Sequence, residues 1–299
     1  MRTAVQFSSN GIQLAGALYL PDDFDGQRSL TGIVVCHPAG GVKEQTAGLY
    51  SEKLAQQGFA ALTFDAARQG ESAGEPRGLE DPFQRAEDIR SAVSYLSVRP
   101  YVDADHIGVL GICAAGSYVS YTAQTDRRMK AIATVSAVDP AGELLADPAT
   151  RDALLDQVGH IRNLEAAGEG NFWFHVNPGT PEEAAAYPER SMFRESYDYY
   201  VAGPNQHPRA IGWGNLKYDA LAHYQPFEHM DWIAPRPLLM IAGTDADTRH
   251  FSVDAVKAAG HNAELFDIQG ASHMDLYAKE PYVSQAVAKL TTFYQTTLQ

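Results

Sequence analysis

The feature that most constrains the fold of this chain is the alternation of β-rich runs with helical stretches. The runs GIVVCHP (32–38), FAALTFD (59–65) and HIGVLGI (106–112) have the apolar, β-branched character of buried strands. Helical stretches such as AGLYSEKLAQQG (47–58) lie between them. Neighbouring parallel strands need a long crossover, which is usually a helix. The alternation therefore predicts an α/β fold with a mostly parallel central sheet flanked by helices.

The alternation is interrupted once. It stops after Pro140 and resumes at PLLMIAG (237–243), and the chain closes with the strand AELFDIQG and a final helix over 281–298. With 299 residues, of which 45% are hydrophobic, one elaborated domain is expected rather than two. We predict a core domain formed by residues 1–139 and 231–299, and an inserted helical and aromatic cap over residues 140–230.

Charge and apolar run length bear on partners and location. The formal net charge is −14 without a Lys/Arg cluster, which argues against nucleic acid and anionic membranes as partners. No apolar run approaches the roughly 18 residues that span a bilayer, and the first residues lack the order of a signal peptide. A cytoplasmic location is expected, where Cys36 and Cys113 would be free thiols.

Cys113 lies at the most informative position, in the stretch GVLGICAAGSYVS (108–120). A strand ending in a glycine turns through this residue into a helix of small residues, as in the G-x-S-x-G nucleophile elbow, with cysteine in the serine position. A helix N-terminus favours the thiolate, so we expect the pKa of Cys113 to lie below about 8.5. The N–H of Ala114 would face an oxyanion. The alternative is a small buried residue that merely ends a strand.

The partners of such a nucleophile follow in a defined order. HPAGG (37–41) comes after the first parallel strand and offers the N–H of Ala39 as second oxyanion donor. Asp245 and Asp247 follow PLLMIAG, and His273 lies in GASHMDLY after the last strand. Nucleophile, acid and histidine thus occur in the order used by one architecture.

These motifs identify the chain as a member of the α/β-hydrolase superfamily: it resembles that superfamily from HPAGG through FDAARQGES, GICAAG and IAGTDADTRHFS to GASHMDLY. The cysteine elbow is similar to the G-x-C-x-G-G of the dienelactone hydrolase branch, with Ala115 in place of a glycine. A closer likeness is to bacterial α/β hydrolases related to fungal thiohydrolases and acyltransferases that act on polyketide thioesters. In that group the acid stands four residues after the strand-ending glycine, which favours Asp247, while Asp245 remains an alternative.

The resemblance implies hydrolysis of an ester, thioester or lactone of a small apolar acyl substrate through a Cys113–His273–Asp247 triad. An acyltransferase with the same triad and a non-catalytic ligand-binding protein are the alternatives. Trp173, Tyr199 and Trp213 of the cap are candidate substrate-binding residues. Such aromatic residues could equally pack inside the cap or at the interface of a homodimer. No cofactor is implied, and no metal site is expected because no histidine pair has ligand spacing.

Overall fold

A computed structural model describes residues 1–169, 174–175, 177–210, 213–216 and 218–298, with the backbone alone described at 174–175 and 213–216. The strands are β1 (Arg2–Ser9), β2 (Ile12–Tyr19), β3 (Leu30–Cys36), β4 (Ala60–Phe64), β5 (Leu79–Glu80), β6 (Val102–Ile112), β7 (Met129–Val135), β8 (Phe174–His175), β9 (Trp213–Leu216), β10 (Leu238–Gly243) and β11 (Ala263–Ile268). The α-helices are α1 (Thr46–Gln56), α2 (Pro82–Ser97), α3 (Ala114–Thr125), α4 (Gly142–Ala146), α5 (Pro148–Ala166), α6 (Pro181–Ala185), α7 (Met192–Tyr197), α8 (Tyr218–Leu221), α9 (Arg249–Ala259), α10 (Asp275–Ala278) and α11 (Tyr282–Thr297).

The main sheet has eight strands in the order β1-β2-β4-β3-β6-β7-β10-β11 among the described residues. The pairs from β4 through β11 are parallel, and the first two strands are antiparallel. The strands β3, β4, β7 and β10 and the second half of β6, residues 107–112, are almost wholly buried, as expected for a parallel sheet covered on both faces. The predicted α/β architecture with its mostly parallel sheet is therefore confirmed.

The order of the strands determines where a site can form. From β3 the chain moves outward to β4 and then returns to β6 on the other side of β3. The loops that leave β3 and β6 at their carboxyl ends diverge at this point, and in open α/β sheets such a divergence creates a crevice that binds ligands. HPAGG follows β3 and the cysteine turn follows β6, so both line this crevice.

β1 and β2 form a hairpin at the edge of the sheet, which turns at Asn10-Gly11. Both turn residues have positive φ, 46° and 79°, and Ser9 pairs with Ile12 across a two-residue loop. Positive φ at both central positions is the conformation that Asn-Gly supports best in a tight hairpin.

The segment between β7 and β10 contains α4 to α8 together with β8 and β9. The strand β9 pairs with β5, a two-residue strand of the preceding segment, and with β8. No helix among the described residues is long and apolar enough to cross a membrane. The proposed boundaries of the cap at residues 140 and 230 stay a prediction.

Candidate active site

Cys113 lies in a strained turn between β6 and α3. Its φ of 57° and ψ of −124° are a backbone conformation that non-glycine residues rarely adopt. The turn is held from both sides, since Cys113 N–H donates to the Val135 carbonyl at 3.0 Å and the Cys113 carbonyl accepts from Val138 at 3.2 Å. The strain is thus maintained by the neighbouring strand β7, and it projects the thiol beyond the sheet, as the elbow motif predicted.

The two glycines around the elbow are needed for packing. A Cβ on Gly111 would lie 2.2 Å from the carbonyl oxygen of Ala115, inside any allowed contact. A Cβ on Gly116 would lie 2.6 Å from the Cβ of Ala137. The first turn of α3 therefore approaches both β6 and the end of β7 closely. This explains why the second glycine of the motif is displaced by one residue, since Gly116 is the residue that faces Ala137.

His273 is fully buried in the loop after β11. Its carbonyl accepts from the hydroxyl of Ser136 at 3.1 Å, and Ser136 itself has a positive φ of 49° at the end of β7. Its imidazole has two polar neighbours. Nδ1 lies 2.7 Å from Oγ1 of Thr248, and Nε2 lies 3.3 Å from the hydroxyl of Tyr277.

Neither candidate acid contacts His273 among the described residues. The exposed carboxylate of Asp247 accepts instead from the N–H of Met192, with both oxygens at 3.1 Å. Asp245 is exposed too and lies 3.5 Å from Arg190. Asp247, which we predicted to orient the imidazole, therefore binds the first residue of α7. The neighbouring Thr248 lies at Nδ1 of His273 instead. A surface carboxylate gains little from turning inward when a helix N-terminus offers it an unpaired N–H.

Tyr277 connects the cysteine with the histidine. Its hydroxyl is within hydrogen-bonding distance of His273 Nε2, and Tyr277 lines the same cavity as Cys113, where it lowers the pKa of the thiol. No hydrogen bond among the described residues joins Cys113 directly to His273. The structure therefore brings the predicted nucleophile and base together through a third residue, four positions after His273, that the sequence analysis did not select.

Burial sets the protonation states of the resting site. It raises the pKa of the Cys113 thiol to about 11, although hydrogen bonds from Tyr277 and the Ala114 N–H act in the opposite direction. Burial also lowers the pKa of His273 to about 3, and among the described residues the hydrogen-bond partners of the imidazole are hydroxyls rather than carboxylates. The expectation of a lowered thiol pKa is therefore wrong, because desolvation outweighs the helix N-terminus. The resting pair is a neutral thiol and a neutral imidazole.

The predicted oxyanion loop lies beside the elbow. Ala39 and Ala114 line the same cavity as Cys113. Behind the loop, the buried His37 Nε2 lies 3.1 Å from the N–H of Ala66 and 3.0 Å from Arg85. Both neighbours are donors, so Nε2 is an acceptor and Nδ1 donates to the Pro38 carbonyl at 2.7 Å. His37 therefore braces the turn.

The cavity above Cys113 has a volume of about 750 Å³. Its described walls are mainly apolar, and Glu183 is the one charged side chain among them. Apolar and aromatic residues of the segment between β7 and β10 form much of its lining: Val138, Pro140, Leu144, Tyr187, Met192, Phe193, Tyr200 and Tyr218.

The three aromatic residues predicted to bind substrate differ in what the structure describes of them. Trp173 lies outside the described residues, and for Trp213 only the backbone in β9 is described. Tyr199 is buried and packs edge-on against Tyr277, with ring centroids 5.1 Å apart, rather than lining the cavity. Its neighbour Tyr200 lines the cavity instead. The π-helical geometry over Asp198–Ala202 determines which tyrosine faces the cavity, and this local geometry is not evident in the sequence.

Within the described ranges no group of three or more His, Cys, Asp or Glu side chains is placed to hold a metal ion. The described residues of the site offer a thiol, an imidazole, hydroxyls and backbone N–H groups.

A sheet of this order with a strained elbow at the turn after β6 is the architecture of an α/β hydrolase. The dienelactone hydrolase family model matches residues 14–159, which include the elbow and the loop after β3. The uncharacterized protein YcjY of Escherichia coli (strain K12) is 34% identical over 306 residues, which cover 100% of both chains. The chain belongs to the dienelactone hydrolase family of α/β hydrolases.

Two further similarities refine this assignment. The crystal structure of the hypothetical protein PA2218 from Pseudomonas aeruginosa superposes with a TM-score of 0.85 at 30% identity, covering 100% of this chain and 94% of that one. Thiohydrolase aneE of Aspergillus aculeatus is 26% identical, over 79% of this chain and 74% of its own. The family and these relatives support a hydrolase or an acyltransferase.

Proposed function

We propose that this protein cleaves thioesters or activated esters of apolar acyl groups through a covalent intermediate on Cys113. The observation that carries the proposal is the position of the thiol, in a strained elbow that opens into a mainly apolar cavity of about 750 Å³ beside Ala39 and Ala114. The thiohydrolase aneE, which matches over most of this chain, supports the same class of reaction.

The proposed reaction begins with attack of Cys113 Sγ on the acyl carbon. The carbonyl oxygen becomes an oxyanion, which the N–H groups of Ala39 and Ala114 would stabilise. The thiol proton moves to His273, and the acyl–enzyme forms when the leaving group departs with that proton. Water then releases the acid, while an alcohol or amine acceptor would make the same site a transferase.

Sulfur at the nucleophile position favours some leaving groups over others. The tetrahedral intermediate can expel either the Cys113 thiolate or the leaving group, and the weaker base leaves faster. An alkoxide is a much stronger base than a thiolate, so the adduct of an alkyl ester tends to revert. Thioesters and aryl esters are therefore expected to have a higher kcat/KM than alkyl esters of the same acyl group, with amides essentially inert.

The sequence predicts that Asp247 orients the imidazole of His273. The contact at Nδ1 of His273 supports a second candidate for that role. Thr248 lies where the orienting residue of a triad would lie, and its oxygen can accept the Nδ1 hydrogen. We therefore assign the orientation of His273 to Thr248 and a role in holding the cap to Asp247.

The test is to incubate the protein with acyl thioesters, aryl esters, alkyl esters and amides of matched chain length. Intact-protein mass spectrometry after rapid acid quenching should show one added acyl group on Cys113, absent from Cys113→Ala. Repeating the reaction with alcohol and amine acceptors separates hydrolysis from transfer. Turnover by Cys113→Ala at the wild-type rate, or a preference for alkyl esters over thioesters, would contradict the proposal.

A further inference from the structure

His273 is shielded from the cavity in which the proposed chemistry takes place. Its side chain is fully buried, and it is not among the described residues that line the cavity. Cys113 and Tyr277 both line the cavity. A base that cannot reach the nucleophile directly needs a group between them that can both donate and accept a proton.

The Tyr277 hydroxyl is placed to be that group. It lies 3.3 Å from His273 Nε2, the Tyr277 ring packs against the imidazole with centroids 5.5 Å apart, and Tyr277 lines the cavity together with Cys113. The ring also packs edge-on against Tyr199, with an angle of 86° between the two ring planes. A phenolic hydroxyl is both donor and acceptor, whereas phenylalanine of the same shape is neither.

We propose that Tyr277 is a catalytic residue that relays the proton between Cys113 and His273. As the Sγ–acyl bond forms, the S–H bond breaks and its proton passes to the Tyr277 oxygen. The original Tyr277 proton passes at the same time to Nε2, so the tyrosine stays neutral and the imidazole becomes imidazolium. When the bond from the acyl carbon to the leaving group breaks, Nε2 returns its proton to the Tyr277 oxygen, and the Tyr277 hydroxyl donates its own proton to the leaving group.

The rest of the site fits this direction of transfer. Nε2 must arrive with a free lone pair, so Nδ1 must carry the hydrogen, and the Thr248 hydroxyl at 2.7 Å provides its acceptor. Tyr200 also lines the cavity, with its ring centroid 6.4 Å from that of Tyr277. No hydrogen bond among the described residues joins a carboxylate to the Tyr277 hydroxyl.

The role rests on the proposed function for its acyl chemistry, but the relay itself can be tested without a substrate. We compare wild type with Tyr277→Phe, His273→Ala and the double variant. Tyr294→Phe is the matched control, because it removes a buried hydroxyl that donates to the Val109 carbonyl at 2.7 Å, outside the site. Thermal unfolding of each variant measures the structural cost.

Two readouts distinguish a relay from a structural role. Tyr277→Phe is expected to lower kcat by about 100-fold or more with KM changed by less than about threefold, as for loss of a proton-transfer group. The rate of Cys113 alkylation by iodoacetamide at pH 8 should fall by about tenfold, because the thiolate loses a donor. Tyr294→Phe should leave both rates near wild type. In the double variant the two losses should not multiply, because both residues act in one chain.

The outcomes separate the two proposals. If wild type turns over none of the thioesters, esters and amides, the proposed function fails. The relay still stands in that case if the alkylation rate of Cys113 falls in Tyr277→Phe and falls no further in the double variant. If wild type forms the acyl–enzyme and Tyr277→Phe keeps kcat and the alkylation rate within about threefold, the relay is wrong and His273 acts directly. The relay is also wrong if the losses of rate in Tyr277→Phe and His273→Ala multiply in the double variant.

Discussion

Replacing Thr248 with valine removes one hydroxyl from a buried pair and keeps the branched shape of the side chain. That hydroxyl lies 2.7 Å from Nδ1 of His273, and both residues are buried. When the imidazole takes a proton at Nε2 during the reaction, Nδ1 carries a hydrogen as well. In Thr248→Val this N–H has no acceptor at the position that Thr248 occupied.

The size of the effect follows from that single contact. A buried donor left without a partner costs about 1–3 kcal/mol, and each 1.36 kcal/mol on a barrier is about tenfold in rate. We therefore expect kcat to fall by about 5- to 150-fold. The resting enzyme avoids much of the penalty, because a neutral imidazole can place its hydrogen on Nε2, so KM should change by less than about threefold.

The assay is steady-state hydrolysis of an aryl ester or thioester that wild type turns over, with three variants measured side by side. Thr248→Ser keeps the hydroxyl and should retain most of the activity. Asp247→Asn should be mild, because its exposed carboxylate faces the N–H of Met192 and an amide oxygen can still accept there. A severe loss in Asp247→Asn together with a nearly active Thr248→Val would refute this reasoning and return the orienting role to the carboxylate.

Three further results are expected. Gly116→Ala should lower the free energy of unfolding by about 1–3 kcal/mol in urea titrations, because the new Cβ would lie 2.6 Å from the Cβ of Ala137. Gly159→Ala is the control: its Cβ would have no atom within 4 Å, so this variant should be neutral or stabilising. Because the pKa of Cys113 is raised to about 11, its alkylation rate should rise about tenfold per pH unit from pH 7 to 10, and a plateau below pH 8 would indicate a preformed ion pair. His37 and His273 have pKa values lowered by burial, so the unfolded chain binds more protons than the folded protein. Stability should therefore be fully present above about pH 6.5 and fall on acidification, by up to about 1.4 kcal/mol per pH unit for each histidine; a urea midpoint that is unchanged between pH 7 and pH 5 would contradict this.

Much of the fold could be predicted because its signals are local. Buried parallel strands are continuous apolar runs, and the predicted run at 237–243 corresponds to β10 (Leu238–Gly243). The Asn10-Gly11 turn carries its own backbone preference, and it forms the hairpin between β1 and β2. The short strand β5 could not be found this way, because two residues have no periodicity and pair only with β9, which is more than 130 residues distant.

The site could be predicted in part, for the same reason. The elbow at Cys113 is dictated by adjacent glycines, so its position follows from the sequence. The direction of a side chain in a loop depends on what lies across from it, and Asp247 turned toward α7 while Thr248 turned toward His273. The signal for Tyr277 was its place four residues after His273, but a tyrosine at that spacing is common in helices that only pack. Burial, which controls the pKa of Cys113, depends on the whole fold.

Asp247 and Thr248 are adjacent in the chain and connect two parts of the site. Asp247 binds the N–H of Met192, the first residue of α7, and Met192 and Phe193 form a wall of the cavity, whereas Thr248 contacts the imidazole of His273. Under the proposed function, an acyl group too bulky for the cavity would displace α7, and the two adjacent residues give that displacement a route to His273. We therefore expect an oversized acyl chain to bind and yet react slowly, because the base is no longer aligned.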